Sequence, residues 1–470
     1  MNIKFCGAAQ EVTGSAHLVT LDSGFTILLD CGLYQGDKKG WENFNETWLF
    51  DPKKVDCVVL SHAHIDHTGR LPKLVRDGFR GIIYATHATR DLSTLMLMDS
   101  AKIQENDASY QRKQAQRQGR NDVHINEPLY DMNDAEQTLK QFVSIGYDQW
   151  FSINEDVKIY FADSGHILGS ASVVLYINEN GVEKRLGFTG DIGRPGRPIL
   201  RDPQPMLPVD VLISESTYGD KEHETAPNEF ERFARAIYHT CVDKKGKVII
   251  PAFSIGRTQE LLYMLDQLYT KQLLPEVPVY IDSPLSVNAI EVFRQHPECY
   301  DGQLQEYILH DDNPFGFRSV QYIRSSEESK QLNQSNTPCI IISASGMANS
   351  GRVKHHIFNN IENAKNTVLI VGYCAPNTPG GVLRSNAKTI ELFGKVKNIN
   401  AEVVVMDSFS AHGDRKEMLD MLQNQAPNLK QLFLVHGDPE TQIQFKDYLH
   451  QSAFAKTEIL IPMLGDVVEV

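Results

Sequence analysis

One short segment, Ser61-His62-Ala63-His64-Ile65-Asp66-His67-Thr68-Gly69, limits what the whole chain can be. It follows residues 55–60, a run that is apolar except for Asp56 and is suited to a buried strand. Three imidazoles and one carboxylate fall within six residues. Imidazole nitrogen and carboxylate oxygen are standard ligands of zinc and related divalent ions. Histidines two apart on an extended turn point to the same side, as alternate residues do. Asp66 and His67 stand where a helix begins and can serve a second position. Packing alone has no use for such a cluster, so the segment predicts a metal centre at the end of a strand. Six residues cannot complete two coordination spheres. The remaining ligands are expected at His166, in Asp163-Ser164-Gly165-His166-Ile167-Leu168-Gly169-Ser170, at Asp191, in Phe188-Thr189-Gly190-Asp191-Ile192-Gly193, and at His436, in Leu434-Val435-His436-Gly437. Each borders an apolar run and stands beside glycine. Taken singly, each reads equally well as an ordinary polar loop residue.

The rest of the chain has the texture of a large α/β protein. Short strands are predicted at 3–6, 17–21 and 25–29, with Gly-rich connections, and a short helix at 70–77. Residues 88–140 are polar and helix-prone. Their basic, Gln-rich run at 111–120 reads as a solvated helix face in preference to an RNA-facing one. Strands follow at 157–162, 171–177 and 183–189, with a hairpin turn at 178–181, and then a Pro-rich linker at 195–208. Beyond it, β runs at 211–214, 247–251, 277–281, 338–343 and 367–372 alternate with helices at 229–241, 258–268 and 286–294. That alternation predicts a parallel sheet with crossover helices, read as a distinct α/β domain over residues 210–395. No G-x-G-x-x-G or Walker pattern accompanies these strands, so a nucleotide cofactor has little support. Two further strands, 401–406 and 431–435, flank a helix at 414–423, and the pattern leaves open which domain they join.

Composition narrows the function. The 470 residues suffice for two to four domains and a substantial core. A net charge of −14 argues against a broad non-specific nucleic-acid coat, though not against a local basic groove. No apolar stretch approaches the ~20 residues of a membrane-spanning helix. The first five residues read as a strand and lack the pattern of a signal peptide. Seven scattered cysteines without a CxxC indicate neither a disulfide framework nor a zinc ribbon. They predict reduced, mostly buried thiols in a cytoplasmic protein.

Further ordered motifs carry a resemblance. They are residues 5–15 (FCGAAQEVTGS), Leu29-Asp30-Cys31-Gly32, Ala88-Thr89-Arg90-Asp91, Glu215-Ser216-Thr217-Tyr218-Gly219, residues 251–260 (PAFSIGRTQE), Asp282-Ser283-Pro284, Ser343-Ala344-Ser345-Gly346-Met347, Phe409-Ser410-Ala411-His412 and Val435-His436-Gly437. With the histidine segment they make the chain resemble the metallo-β-lactamase superfamily. Within it, the chain is similar to the β-CASP branch of RNA-processing nucleases. The resemblance spans nearly the whole chain. It implies an αββα sandwich with an inserted α/β β-CASP domain carrying a mainly parallel sheet. Residues 1–209 and 396–470 would form the sandwich and 210–395 the insert, with the active site in the cleft between them.

The resemblance also assigns roles. His62, His64 and His166 would hold one zinc. Asp66, His67 and His436 would hold the other, with Asp191 bridging, and the same ligands suit manganese. Asp30 would orient a ligand from behind. Glu215 matches the acidic residue of the branch's first motif and His412 the histidine of its second. The histidine at 436 favours RNA over DNA. Two metal ions ~3.5–4 Å apart lower the pKa of a bridging water and neutralise charge at phosphorus. Metal-bound hydroxide would then cleave single-stranded RNA, leaving 5′-phosphate and 3′-hydroxyl, with His412 as general acid and Glu215 as its partner. Arg257, Ser343, Ser345 and Thr378 are expected to hold substrate, although turn and cap roles suit the same residues. Endonucleolytic action is favoured over 5′-exonucleolytic action. A homodimer or RNA-processing partner proteins would complete the grip. The competing readings are a zinc-dependent hydrolase of small esters, lactones or thioesters, and a catalytically silent RNA-binding scaffold.

Overall fold

The computed structural model describes the chain except for residues 37–40, 42, 118–126, 224–227, 312, 373 and 407–409. The end of the basic run (118–120), Tyr373 and Phe409 therefore lie outside the described residues. The chain divides into two units. One comprises Met1–Arg197, Arg201–Glu222 and His412–Val470, the other Pro198–Leu200 and His223–Ala411.

The first unit contains two seven-stranded sheets. In one, Thr26–Leu29, Cys57–Val59 and Ile82–Thr86 run parallel. In the other, Val182–Phe188, Val211–Ser214 and Gln431–Leu434 run parallel. Period-two alternation sorts the side chains. Ile27, Leu29 and Val59 of the first sheet meet Phe161, Val173, Phe188, Ile213 and Phe433 of the second in a shared core. Their neighbours Leu28, Val58 and Ile83 face outward, onto Leu71 and Leu74 of the helix Leu71–Arg76 and Leu97 of the helix His87–Arg117. On the far side, Val174, Leu212, Leu432 and Leu434 pack against Met418 and Leu422 of the helix Arg415–Leu422 and Phe445 and Leu449 of the helix Pro439–His450. Helix, sheet, sheet and helix thus form the four layers expected of an αββα sandwich. The hairpin between Ala171–Glu179 and Val182–Phe188 turns through Asn180 and Gly181, both with positive φ (54° and 80°), as a two-residue type I′ turn requires.

The second unit is built on a six-stranded sheet, paired in parallel throughout, in the order Val320–Tyr322, Val279–Ile281, Cys339–Ser343, Lys247–Pro251, Thr367–Val371, Glu402–Met406. The helices Arg257–Thr270, Pro284–Gln295 and Gly351–Asn360 lie between successive strands in the chain. This is the alternation that the sequence pattern predicts.

The limits of the insert differ from the expected 210–395. Val211–Ser214 joins the sheet of the first unit, through parallel pairing with Val182–Phe188 and Gln431–Leu434. Glu402–Met406 joins the second, through pairing with Thr367–Val371. Both strands are short and apolar enough to suit either sheet, and the partner that decides lies far away in sequence. Residues 198–200 of the Pro-rich stretch also belong to the second unit, where Leu200 bridges to Tyr300. All seven cysteines are buried, and none is joined in a disulfide. Among the described residues, no helix is long and apolar enough to cross a membrane.

Candidate metal centre

The site gathers where parallel strands of the first unit end, the usual place for sites in such sheets. His62 and His64 follow Cys57–Val59, and the one-turn helix Ile65–Thr68 carries Asp66 and His67. Gly32 lets this turn close, because a Cβ there would stand 1.6 Å from the Asp66 carbonyl oxygen. His166 lies in the loop after Val157–Asp163, where its amide and that of Ile167 donate to Ser170 Oγ at 2.9 and 3.2 Å. Asp191 follows Val182–Phe188, and His436 follows Gln431–Leu434. The His436 amide donates to the Ala8 carbonyl at 2.8 Å and that of Gly437 to the Glu11 carbonyl at 3.2 Å. The Gly-rich connection near the N-terminus is therefore the cradle of His436. Asp30 and His436 have φ of 58° and 50°. Such conformations cost non-glycine residues of order 1–3 kcal/mol and persist where the surroundings impose them.

Four donors converge in a first set. His62 Nε2 lies 3.1 Å from His64 Nδ1, and His166 Nε2 lies 3.2 Å from the same atom. Asp191 Oδ2 is 3.5 Å from His62 Nε2 and 3.4 Å from His166 Nε2. Ligands about 2.0–2.1 Å from a central zinc stand about 3.3 Å apart in a tetrahedron. A second set faces the other oxygen of the same carboxylate. His67 Nε2 is 3.4 Å from Asp191 Oδ1 and 3.3 Å from His436 Nε2, which is 3.6 Å from Asp66 Oδ2. Asp191 Oδ1 is buried and accepts no hydrogen bond. A buried carboxylate oxygen left unsatisfied, among ring nitrogens that face one another, fits divalent cations as the missing partners.

Hydrogen bonds from behind hold the rings. His67 Nδ1 donates to Asp30 Oδ2 at 2.6 Å. Asp30 also accepts from the Ser61 amide and the Ser61 hydroxyl, both at 2.8 Å. Since Ser61 Oγ gives its proton to Asp30, it accepts from His62 Nδ1 at 3.0 Å and leaves Nε2 for a ligand role. Thr217 Oγ1 lies 3.1 Å from both Nδ1 and the carbonyl oxygen of His436. Electrostatics divides the two sets. Burial, reinforced by neighbouring imidazoles, holds His62 and His166 well below the usual histidine range, as neutral ligands must be. Burial is the strongest single influence on His67 and His436 and opposes their charge, but Asp191 together with Asp30 at His67, and Asp191 together with Asp66 at His436, outweighs it and raises both. Asp66 is held down to about 2 against its own burial, chiefly by His436, whose Nε2 lies 3.6 Å away.

His412 and Glu215 adjoin this pair of sets. His412 Nδ1 lies 3.3 Å from Glu215 Oε2 and 3.9 Å from Asp191 Oδ2. Burial would lower the imidazole, but Glu215 and Asp191 push it up to about 9. Glu215 is itself fixed by the amides of Ile192 and Thr217. Every residue expected at the centre, including Asp30, lies in this one constellation. Ser61, Thr217 and the carbonyls of Ala8 and Glu11 were not singled out by sequence reasoning. Hydroxyls next to His62 and two residues after Glu215 are too common to mark the first two, and a backbone carbonyl has no sequence signal.

The four expected substrate-holding residues lie in the second unit and engage it locally. Ser343 Oγ donates to the Asp282 carbonyl at 2.8 Å, and Ser345 Oγ to Asn349 Oδ1 at 2.8 Å. Thr378 caps the helix Pro379–Arg384, accepting from the Gly381 amide at 3.2 Å. Arg257 is buried and pairs with Glu260.

Comparison with known proteins agrees with this construction. Residues 9–226 match the family described as the metallo-beta-lactamase superfamily, 258–383 the Beta-Casp domain, and 396–462 the Zn-dependent metallo-hydrolase RNA specificity domain. The chain is 32% identical to the ribonuclease TTHA0252 of Thermus thermophilus, over the full length of both. It is 30% identical to the transcription termination factor FttA of Methanocaldococcus jannaschii, across all of this chain and 72% of that one. A crystal structure of a protein of unknown function from Enterococcus faecalis shares the fold, with a TM-score of 0.54, 12% identity and 99% of each chain covered. The ordered motifs, the four-layered first unit and the full-length kinship together place the chain in the β-CASP branch of the metallo-β-lactamase superfamily.

Proposed function

We propose that the protein is a ribonuclease that holds two zinc ions, or two manganese ions, and hydrolyses single-stranded RNA to products with 5′-phosphate and 3′-hydroxyl ends. The observation that carries this reading is the Asp191 carboxylate, which turns one oxygen to each donor set. His62, His64 and His166 would hold one ion and Asp66, His67 and His436 the other. Ions bound there supply water activation at neutral pH and neutralise charge on the phosphate. The chain supplies the rest. Asp30 and Ser61 hold His67 and His62 with Nε2 presented to the ions. Glu215 binds His412 through Nδ1 and keeps the ring charged, which makes Nε2 the atom that hands a proton to the leaving 3′-oxygen. The 2′-hydroxyl has no part in this scheme, so a 2′,3′-cyclic phosphate product overturns it.

The test is cleavage of a 5′-labelled single-stranded RNA by metal-reconstituted protein, beside an Asp66→Ala His67→Ala double variant. Internal fragments that vanish in the variant support an endoribonuclease. Mononucleotides released from the 5′ end keep the site and make the enzyme an exonuclease. Absence of any metal-dependent product from RNA counts against the reading.

A further inference from the structure

The two histidines of the second donor set are held by different chemistry. His67 Nδ1 is tied to a carboxylate, Asp30, at 2.6 Å. His436 Nδ1 has a neutral hydroxyl, Thr217 Oγ1, at 3.1 Å. The next acceptor for His436 Nδ1 is Asp191 Oδ1, 3.6 Å away and beyond hydrogen-bonding distance. That oxygen is the buried atom that accepts no hydrogen bond. We propose that Thr217 is a positioning residue for the metal centre: its hydroxyl fixes His436 as the Nδ1–H tautomer, turns Nε2 to the donor set, and keeps the ring from claiming Asp191 Oδ1.

The proton count decides the tautomer. A threonine hydroxyl has one proton to give and can also accept. Its two neighbours are the His436 carbonyl oxygen, which can only accept, and His436 Nδ1, both at 3.1 Å. The proton goes to the carbonyl, so the oxygen accepts from Nδ1–H. Ser61 does the same for His62, giving its proton to Asp30 and accepting from the ring. Sheet register brings Thr217 to this place. Val211–Ser214 and Gln431–Leu434 pair in parallel with Ser214 opposite Leu434. They leave the sheet together, with the Ser216 amide on the His436 carbonyl at 3.3 Å and Ser216 Oγ on the Val435 carbonyl at 2.6 Å. Gly437 permits the approach, because a Cβ there would stand 2.5 Å from Ser216 Oγ.

This inference rests on the two-ion reading, and metal retention separates the two. Zinc per chain is measured at buffered free zinc, with affinity by chelator competition, for the wild type, Thr217→Val, Thr217→Ser and Ser216→Ala. Losing a partner that orients a ligating histidine costs about 10–100-fold in metal affinity. Thr217→Val is therefore expected to weaken one zinc by that factor while the other stays. Thr217→Ser restores it. Ser216→Ala, which breaks an adjacent hydrogen bond without touching the ring, lowers the melting temperature and keeps wild-type zinc. Wild-type affinity in Thr217→Val, or failure of Thr217→Ser to restore it, overturns the inference. A wild type that binds fewer than two zinc ions defeats the two-ion reading, yet the ratio between wild type and Thr217→Val still decides the role of Thr217. Long-range 1H–15N spectra of the zinc-loaded wild type give a measure that needs no variant, and a His436 ring protonated at Nε2 overturns the proposal.

Discussion

Each unit contains a buried cluster of histidine and aspartate, and the two are opposites. In the second unit Asp282 is fully buried. Its Oδ2 accepts from His356 Nε2 at 2.6 Å and from the Ser329 hydroxyl, and its Oδ1 accepts from Arg352 at 2.6 Å. His356 Nδ1 in turn meets Asn333 Oδ1 at 3.0 Å. Every polar atom there has its partner, and the cluster is complete as it stands. In the first unit, ring nitrogens stand 3.1–3.3 Å from one another and one carboxylate oxygen accepts nothing. Ring nitrogens so placed can hydrogen-bond one another in pairs, but a shared positive guest would satisfy all of them and the bare oxygen together. Burial and residue type are alike in the two places. The difference lies in whether the polar geometry closes on itself.

The sharpest way to break this contrast is to remove the carboxylate both donor sets share. In Asp191→Ala any ions held there lose the carboxylate that both donor sets face. Their charge stabilisation is worth several kcal/mol, and each 1.36 kcal/mol is tenfold in rate. RNA cleavage is expected to fall by roughly three orders of magnitude or more, and zinc content below two per chain. A variant that keeps two zinc ions and cleaves within tenfold of wild type destroys the distinction. His412 is the next test, as a member of the centre that is not assigned as a ligand. His412→Ala is expected to cleave roughly 10²–10⁴-fold more slowly with unchanged zinc content. A pKa pushed up to about 9 leaves His412 protonated at neutral pH and able to act as an acid. Its acid form disappears as pH rises through that value, so the wild-type rate should fall there, and the alanine variant should lack that fall. A rate that instead rises through pH 9 removes His412 from the role of acid.

The first unit's chemistry was far more legible in the sequence than the second unit's limits. His62, His64, Asp66 and His67 are close in sequence, so their spacing alone announces a metal centre. His166, Asp191 and His436 are legible as polar residues beside glycine at the ends of apolar runs, expected as ligands once the first motif is read, and strand pairing brings them together. Ser61 and Thr217 act through single hydroxyl protons, and hydroxyls in loops are too common to signal anything. The strands 211–214 and 402–406 read correctly as strands. Their sheet could not be read, because it depends on partners at 431–434 and 367–371.

The complete cluster makes the opposite prediction to the open one. Asp282→Ala leaves the buried His356 without its acceptor and the half-buried Arg352 without its counter-charge, and breaking such a pair costs about 3–5 kcal/mol. The urea midpoint should drop accordingly, while zinc content stays at the wild-type value. Lost zinc with an unchanged midpoint would mean that the closed cluster, too, serves a guest.

Thr378 carries the same contrast down to a single hydroxyl, with the smallest effect. The sequence allows it as a substrate contact or as a cap. In the structure it gives its proton to the Ala375 carbonyl at 2.6 Å and accepts from the Gly381 amide at 3.2 Å, at the start of Pro379–Arg384. A hydroxyl so engaged has no proton left for a phosphate oxygen. Thr378→Ala should therefore cost about 1 kcal/mol of stability, as loss of an N-cap does, and Thr378→Ser should cost a few tenths at most. Since an uncapped helix does not alter the metal centre, kcat and KM for RNA should stay within about twofold. A contact that binds ground state and transition state alike would instead raise KM at constant kcat. A tenfold rise in KM with an unchanged melting temperature would make Thr378 part of the RNA grip, and would show that a polar group with closed geometry can still belong to a site.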